Sequence, residues 1–494
     1  MSERAGMDGG AAAGTGEDAL AGNVQAHAEG KERHSRFNRR AVKVDEAQRR
    51  VLAAADELRC GIELVPLRES GGRRLAQSLH ATSDWPPFAR SGLDGYAVRA
   101  ADIAAASPAS PAALRVIDSI AAGGLALATV EKGTAARIMT GAAVPAGADA
   151  VVMLEQTAEA VLADGSAAVL IKHAGRSGQN IAPQGEEFRL GGVWGVPGTV
   201  VRPGHVALLG TFGYAEVPVL ARPRAAVFAT GSELLPVAAS LAQGRIRDSN
   251  SWMVAAMLEQ SGAVPMLCGT LPDDPAEVAS AISRVLDDTD LIITTGGVSV
   301  GDFDVMSDII RTIKSEGWSS RKHASVCEQS SYTGSSAEER QWPKADRADE
   351  EASKGSAPSQ VLFDRVAMRP GSPTSAAVVE GKLLFALSGN PGACFVGFEL
   401  FVRPALLRMQ GVEAARPRTV HAQLLHAIDK PSPHDRFVRT RLLYETDGRI
   451  YADPLAFTKS SMMASIADAE GLAVIPSGPD GAAAGDIIEV ILVP

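Results

Sequence analysis

Apolar residues in the middle of this chain come in short unbroken runs, each emptying into a loop of glycines, hydroxyls and carboxylates. The runs are 224–229, 264–269, 291–293 and 383–387. The loops after them carry Thr230-Gly231-Ser232-Glu233, then Thr270-Leu271-Pro272-Asp273-Asp274, then Thr294-Thr295-Gly296-Gly297-Val298-Ser299 with Asp302 and Asp304, and finally Ser388-Gly389-Asn390-Pro391. Aliphatic runs of this length predict strands buried on both faces. Apolar positions at helical spacing fill 249–261, 275–286, 305–313 and 392–408, so strands and helices alternate. That alternation predicts a parallel sheet covered by helices on both faces, with a crevice outside the carboxyl ends of its strands. Glu233, Asp273, Asp302 and Asp304 are expected to face that crevice.

Elsewhere the pattern changes. Val42, Ala47, Val51, Ala54, Ala55 and Leu58 mark the buried stripe of a helix of about five turns, its basic residues in water. An extended segment at 63–67 and a helix over 71–79 follow, and Trp85-Pro86-Pro87-Phe88 stops regular structure. Short β-branched runs at 114–120, 134–139, 150–153 and 167–172 alternate with Gly and Pro turns, which predicts a small β-rich domain. Strand and turn features continue over 188–201, with a short helix at 203–209 and an extended run at 216–220. A strand is expected over 361–368, and runs at 420–425, 437–444, 472–475 and 487–493 predict a second β-rich unit. Residues 315–360 are rich in Ser, Glu, Lys and Ala without periodicity and read as a loosely ordered insertion; the first 30 residues read as a disordered tail rather than a signal peptide.

Length and charge narrow the function classes. A chain of 494 residues exceeds one core, so three or four domains are expected. With 46% hydrophobic and 21% charged residues and no apolar run near the ~18 residues of a membrane span, a cytoplasmic protein without a membrane partner is expected. A net charge of −10 argues against a nucleic-acid partner. Cys60, Cys268, Cys327 and Cys394 form no metal-spaced pair, which points to reduced thiols and no zinc site. The loops themselves suggest phosphate and metal chemistry. Glycines let the backbone approach a phosphate, backbone N–H groups stabilise its charge, and an acidic side chain can hold the accompanying magnesium.

Two further constellations lie outside the α/β region: Ser91-Gly92-Leu93-Asp94-Gly95-Tyr96, and Arg137-Ile138-Met139-Thr140-Gly141 leading to Glu155. Taken with GQNI (178–181), GEE (185–187), TGSEL (230–234), DSN (248–250), TTGGVSVGDFD (294–304), RPGSP (369–373) and SGNP (388–391), they resemble the motif series of the molybdopterin molybdenumtransferases, the MoeA-type enzymes related to the E domain of gephyrin. The resemblance runs from about Val42 to Pro494. It departs from the family pattern at Ser232, where Asp is usual, at Arg365 and Arg369, where Lys is common, at Ser388, which replaces a proline, and at Gly92-Leu93, which replaces Ala-Met.

The resemblance implies a multi-domain fold of α/β and β-rich units. After a tail at 1–40 come a helix at 41–61, an elongated linker domain from 62–81 and 183–222, and a small β-rich domain at 82–182. A three-layer α/β domain of the MoaB/Mog molybdopterin-binding type, with a parallel-type sheet, follows at 223–411, then a β-barrel-like domain at 412–494. It also implies a homodimer that inserts molybdenum from molybdate into adenylylated molybdopterin, releasing AMP with the help of Mg2+. In that reading Asp94, Thr140, Glu233, Asp273 and Asp304 are catalytic, and Glu233, Asp273 and Asp304 hold the metal. Thr295, Gly296, Gly297, Ser299, Arg365, Arg369, Ser388, Gly389, Asn390 and Pro391 bind substrate, and Asp94, Thr140 and Glu155 come from the other subunit. A molybdopterin adenylyltransferase and downstream molybdoenzymes are its expected partners. Two alternatives stay open at this point, a molybdopterin adenylyltransferase and a non-catalytic scaffold that kept the fold.

Overall fold

The computed structural model describes residues 41–298, 305–318, 359–456 and 459–494. The expected tail, most of the 315–360 insertion, Ser299, Asp302 and Asp304 lie outside them. The central domain is built on a six-stranded sheet in the order Val264–Leu271, Arg224–Thr230, Leu291–Thr295, Lys382–Leu387, Ser375–Val379 and Gln360–Phe363. The first four strands are parallel. The last two pairings are antiparallel, with Ser375–Val379 the reversed strand, so the sheet is mixed at one edge. The reason is local: Ser375–Val379 and Lys382–Leu387 are joined by Glu380 and Gly381 alone, both at positive φ, a hairpin loop that cannot support a crossover.

Alternate residues of the sheet enter opposite layers. Ala225, Val227, Ile293, Leu383 and Phe385 pack beneath the helices Val44–Asp56 and Asn250–Gln260 and the helical stretch 391–409. Ala226, Phe228, Ile292, Leu384 and Ala386 pack against Pro275–Val285 and Val305–Glu316. The stretch 391–409 runs through a π turn, Phe398–Val402, just ahead of Pro404, whose ring nitrogen cannot donate a helical hydrogen bond.

Three local expectations are corrected. The first helix has 13 residues, fewer than about five turns would need, because Val42 is drawn into extended pairing: its N–H donates to the Arg365 carbonyl at 3.0 Å and its carbonyl accepts from Ala367 N–H at 2.7 Å. The strand expected over 361–368 divides for a related reason. Gln360–Phe363 stays in the central sheet, while Met368–Arg369 leaves to pair with Asp435 and Arg436. Residues 71–79 form no helix. Gly72 sits at positive φ, and the N–H groups of Gly72, Leu75 and Ala76 donate to the carbonyls of Val201, Thr199 and Pro218, so the backbone is satisfied by a neighbouring segment. The spacing of Leu75 and Leu79 resembles a helix face, yet both are buried in a core with Val201, Leu209, Val217 and Val219. Ile62–Pro66 pairs antiparallel with Glu216–Leu220 across the same unit.

The small β-rich domain is a six-stranded sheet in the order Ala150–Met153, Gly95–Val98, Thr134–Ile138, Ala112–Ile120, Ala167–Ile171, Thr157–Val161, with apolar clusters on its two faces. At the C-terminus Asp435–Tyr444, Ile450–Pro454, Thr419–Leu424, Ile487–Leu492 and Gly471–Ile475 form a barrel, closed where the last pairs with the first. No helix of the described residues is long and apolar enough to cross a membrane.

Within the central domain one ion pair is buried. Glu399, 2% exposed, receives two hydrogen bonds of 2.7 Å from Arg403, whose remaining N–H groups reach Ser261 Oγ at 2.8 Å and Gln260 Oε1 at 2.9 Å. It ties the π turn to the end of the helix Asn250–Gln260. Removing one partner strands a buried charge, so Arg403→Met is expected to lower stability by about 3–5 kcal/mol, whereas the double change Glu399→Leu with Arg403→Met costs less. Urea unfolding followed by circular dichroism reads both; equal losses would contradict the pair's role.

Candidate active site

The parallel strands end in loops that press backbone against backbone. Gly296 N–H donates to the Leu387 carbonyl at 3.0 Å, and the Thr230 hydroxyl lies 3.5 Å from the Thr295 carbonyl. Gly296 and Gly297 both have positive φ, and a Cβ on either would come within 2.8 Å of the Thr230 hydroxyl oxygen. A Cβ on Gly389 would lie 3.3 Å from Gly296 Cα. Glycine is therefore fixed here by space as well as by conformation. Thr295 and Ser388 are buried, with Asn390 N–H donating to Ser388 Oγ at 3.2 Å, and Pro391 opens the helix beyond.

Two acids stand at neighbouring strand ends. Gly231 N–H lies 3.4 Å from the Leu271 carbonyl, which joins the loop of Glu233 to the loop of Asp273. The Glu233 carboxylate folds back over Gly231, 2.5 Å from where a Cβ would sit. Asp274 is spent on the next helix, accepting from the N–H groups of Ala276 and Glu277 at 2.9 Å. The exposed carboxylates of Glu233 and Asp273 have no hydrogen-bond or ion-pair partner among the described residues. No group of three or more His, Cys, Asp or Glu able to hold a metal occurs among the described residues; Asp304, the third expected ligand, lies outside them.

The arginines are placed differently. Arg369 sits on the strand that joins the barrel, in register with Arg436, whose ionisation burial and the neighbouring Arg369 charge make harder. The loop after Arg369 packs on the helix that follows Pro391, where a Cβ on Gly371 would lie 3.3 Å from the Ala393 carbonyl. Arg365 is held by its backbone to Val42, and no described contact sets it against the glycine loops. The barrel reaches the site through another residue. Arg439, 1% exposed, donates to Ser465 Oγ at 2.8 Å and to the Lys459 carbonyl at 3.1 Å, and Gly392 N–H donates to the Ser460 carbonyl at 2.8 Å. A Cβ on Gly392 would overlap the Arg439 guanidinium. The barrel segment after residue 458 thus borders the loop Ser388–Pro391.

A separate group forms on the small domain. Thr140 donates to Asp94 Oδ1 twice, from its backbone N–H at 2.7 Å and its hydroxyl at 2.8 Å. Leu154 N–H reaches the Asp94 carbonyl at 3.3 Å, which brings the exposed Glu155 to the same end of the sheet. Gly95 is required between them, since a Cβ there would collide with the Val152 carbonyl. The Thr140 backbone donor, then its hydroxyl, then the charge of Arg137 hold the Asp94 carboxyl below its ordinary range. No hydrogen bond or ion pair among the described residues links this group to the glycine loops.

Residues 42–213 match the MoeA N-terminal region (domains I and II), 226–326 a probable molybdopterin binding domain, and 421–493 the MoeA C-terminal region (domain IV). The molybdopterin molybdenumtransferase of Bacillus subtilis is 38% identical over 455 residues, covering 92% of this chain and 95% of that protein. The chain belongs to the molybdopterin molybdenumtransferase family. Its Staphylococcus aureus (strain COL) relative of the same name is 39% identical over 428 residues, covering 87% of this chain and 90% of that protein. The crystal structure of the molybdopterin biosynthesis moeA protein from Pyrococcus horikoshii OT3 superposes with a TM-score of 0.70 at 27% identity, covering 92% of this chain and all of that one.

For this molybdopterin molybdenumtransferase family member, Thr295, Gly296, Gly297, Ser388, Gly389, Asn390, Pro391, Glu233 and Asp273 lie on loops at one end of the central sheet, and Asp94, Thr140 and Glu155 gather on another domain. Sequence reasoning gave no role to Arg439 or to Asn250, whose side chain donates to the Gly389 carbonyl at 2.8 Å. The DSN stretch was visible for Asn250; a lone arginine in a strand gives no signal for Arg439. Thr140→Val removes one of two donors, so the Asp94 pKa is expected to rise toward its ordinary value. Because the folded carboxyl titrates below its unfolded value, the stability it contributes is complete above the ordinary carboxylate range and lost as pH falls through the folded value; the variant loses it at higher pH. NMR titration of the Asp94 carboxyl carbon reads the shift, and an unmoved midpoint would remove the hydroxyl as a cause.

Proposed function

We propose that this enzyme of molybdenum cofactor biosynthesis transfers molybdenum from molybdate onto adenylylated molybdopterin with release of AMP, and that magnesium assists. The observation that carries the reading is the set of glycine loops at the strand ends flanked by the carboxylates of Glu233 and Asp273, which have no partner among the described residues. Backbone N–H groups in such loops suit the pyrophosphate of the substrate. Two free carboxylates facing polyanionic substrates would repel them unless a divalent cation intervenes, and oxygen donors are the ligands Mg2+ takes. The ion would then neutralise charge on the phosphates and the departing AMP. Glu233 and Asp273 would hold it, with Asp304 as third ligand. Arg369, with its planar fork of donors, suits an oxyanion such as molybdate; the same role for Arg365 has weaker support.

Asp94, ionised well into the acid range and set beside Thr140 and Glu155, is a second functional surface. Its place on a domain other than that of the glycine loops fits a homodimer in which each crevice is completed by the partner's small domain, and we place the enzyme in the cytoplasm. An adenylyltransferase would need the central domain alone, whereas family resemblance here extends over both flanking regions.

AMP release from adenylylated molybdopterin by the purified protein tests the reading, with molybdate and magnesium each varied. Release requiring both is expected; binding without release would instead indicate a non-catalytic relative. Glu233→Gln and Asp273→Asn keep shape and lose charge, so each is expected to need at least tenfold more magnesium for half-maximal release while melting near the wild type. Wild-type magnesium dependence in both variants would remove these acids as ligands.

A further inference from the structure

Asn250 is the first residue of the helix Asn250–Gln260 and the last of the DSN stretch, to which the proposed reaction gives no part. Its side chain is 8% exposed. The amide nitrogen donates to the Gly389 carbonyl at 2.8 Å, and since a carbonyl can only accept, this bond fixes which way the amide points. The amide oxygen is then left buried with no hydrogen-bond partner among the described residues. A buried acceptor left in that state pays its full desolvation penalty, so such atoms in native proteins call for an explanation. Here the position supplies one. Gly389 lies against Gly296, which places the unpaired oxygen beside the glycine loops at the strand ends.

We propose that Asn250 Oδ1 accepts a hydrogen bond from the bound substrate, making Asn250 a binding residue that senses the organic part of the substrate rather than its charge. This rests on the transferase reading above. Molybdate and ionised phosphates offer only acceptors, so neither satisfies an amide oxygen. The partner must be an N–H or O–H group. Adenylylated molybdopterin carries such donors in both halves, on the pterin ring and on the adenine amino group and ribose hydroxyls. The same amide holds Gly389 with its nitrogen, so one side chain couples the position of the loop Ser388–Pro391 to ligand occupancy.

The competing explanation is that Asn250 only clamps Gly389, and two substitutions separate them. Asn250→Ala removes donor and acceptor; Asn250→Asp removes the donor but keeps an acceptor oxygen. Binding of AMP and of metal-free molybdopterin to the full-length protein is measured by anaerobic titration calorimetry, with melting curves as the control for folding. Asn250→Ala is expected to lose about tenfold in affinity for one of the two ligands only, whereas Asn250→Asp keeps an acceptor and its added charge weakens both phosphate-bearing ligands alike, so it shows no such selectivity although it melts lower. Loss confined to AMP assigns the donor to the nucleotide, and loss confined to molybdopterin assigns it to the pterin. Equal losses in both variants would leave only the clamp and overturn the proposal, as would no loss in either. If Asn250→Ala does not fold, Asn250→Asp decides alone, a tenfold loss there confined to one ligand leaving only the clamp. Wild-type protein that binds neither ligand would sink the transferase reading itself.

Discussion

The approach of backbone to backbone where the parallel strands end is the constraint on which the rest of this structure depends. Thr230, Gly296 and Gly389 lie at the ends of three adjacent strands of the sheet; a side-chain atom at Gly296 would occupy space already taken by Thr230, and one at Gly389 would press on Gly296. Strands buried on both faces cannot splay apart to make room, because alternate residues are locked into two different apolar layers. The loops must therefore be narrow, and narrow loops of glycine present N–H groups rather than side chains. The Glu233 and Asp273 carboxylates stand beside these loops, joined through the contact of Gly231 N–H with the Leu271 carbonyl.

Around that centre the chain recruits its other parts by backbone pairing. Val42 ties the first helix to the segment at Arg365, and the pairing of Met368–Arg369 with Asp435 and Arg436 splices the central domain into the barrel. The buried guanidinium of Arg439 then sets a barrel segment beside Gly392. The loop Ser388–Pro391 is thus bordered by a second domain, and Arg439 and Gly392 are coupled by contact though separated by nearly fifty residues in sequence. The small domain carries its own acid, Asp94, held below the ordinary carboxylate range by the two Thr140 donors.

Some of this was legible along the chain because burial on both faces leaves a one-dimensional trace. The uninterrupted runs before Thr230, Thr295 and Ser388 are the strands observed, and Glu233, Gly296, Gly297 and Gly389 after them occupy the same end of one sheet. Other features left a misleading trace. Leu75 and Leu79 stand at helical spacing, yet Leu75 N–H donates to the Thr199 carbonyl and Leu79 pairs with Gly195, partners that local periodicity cannot see. The parallel pattern also hid the hairpin at Glu380-Gly381, since a strand buried on both faces looks the same in either direction.

The sequence by itself determined the alternation of strand and helix, the family and the residue types gathered at the strand ends, because apolar periodicity and glycine placement are local properties of the chain. Only the tertiary structure decided which of those residues meet. It set Asn250 on Gly389 and left an oxygen unpaired among the described residues, spent Asp274 rather than Asp273 on a helix cap, and put Arg369 in register with a barrel strand. Hydrogen bonds between groups distant in sequence settle these matters, and which donor finds which acceptor is fixed only once the layers have packed.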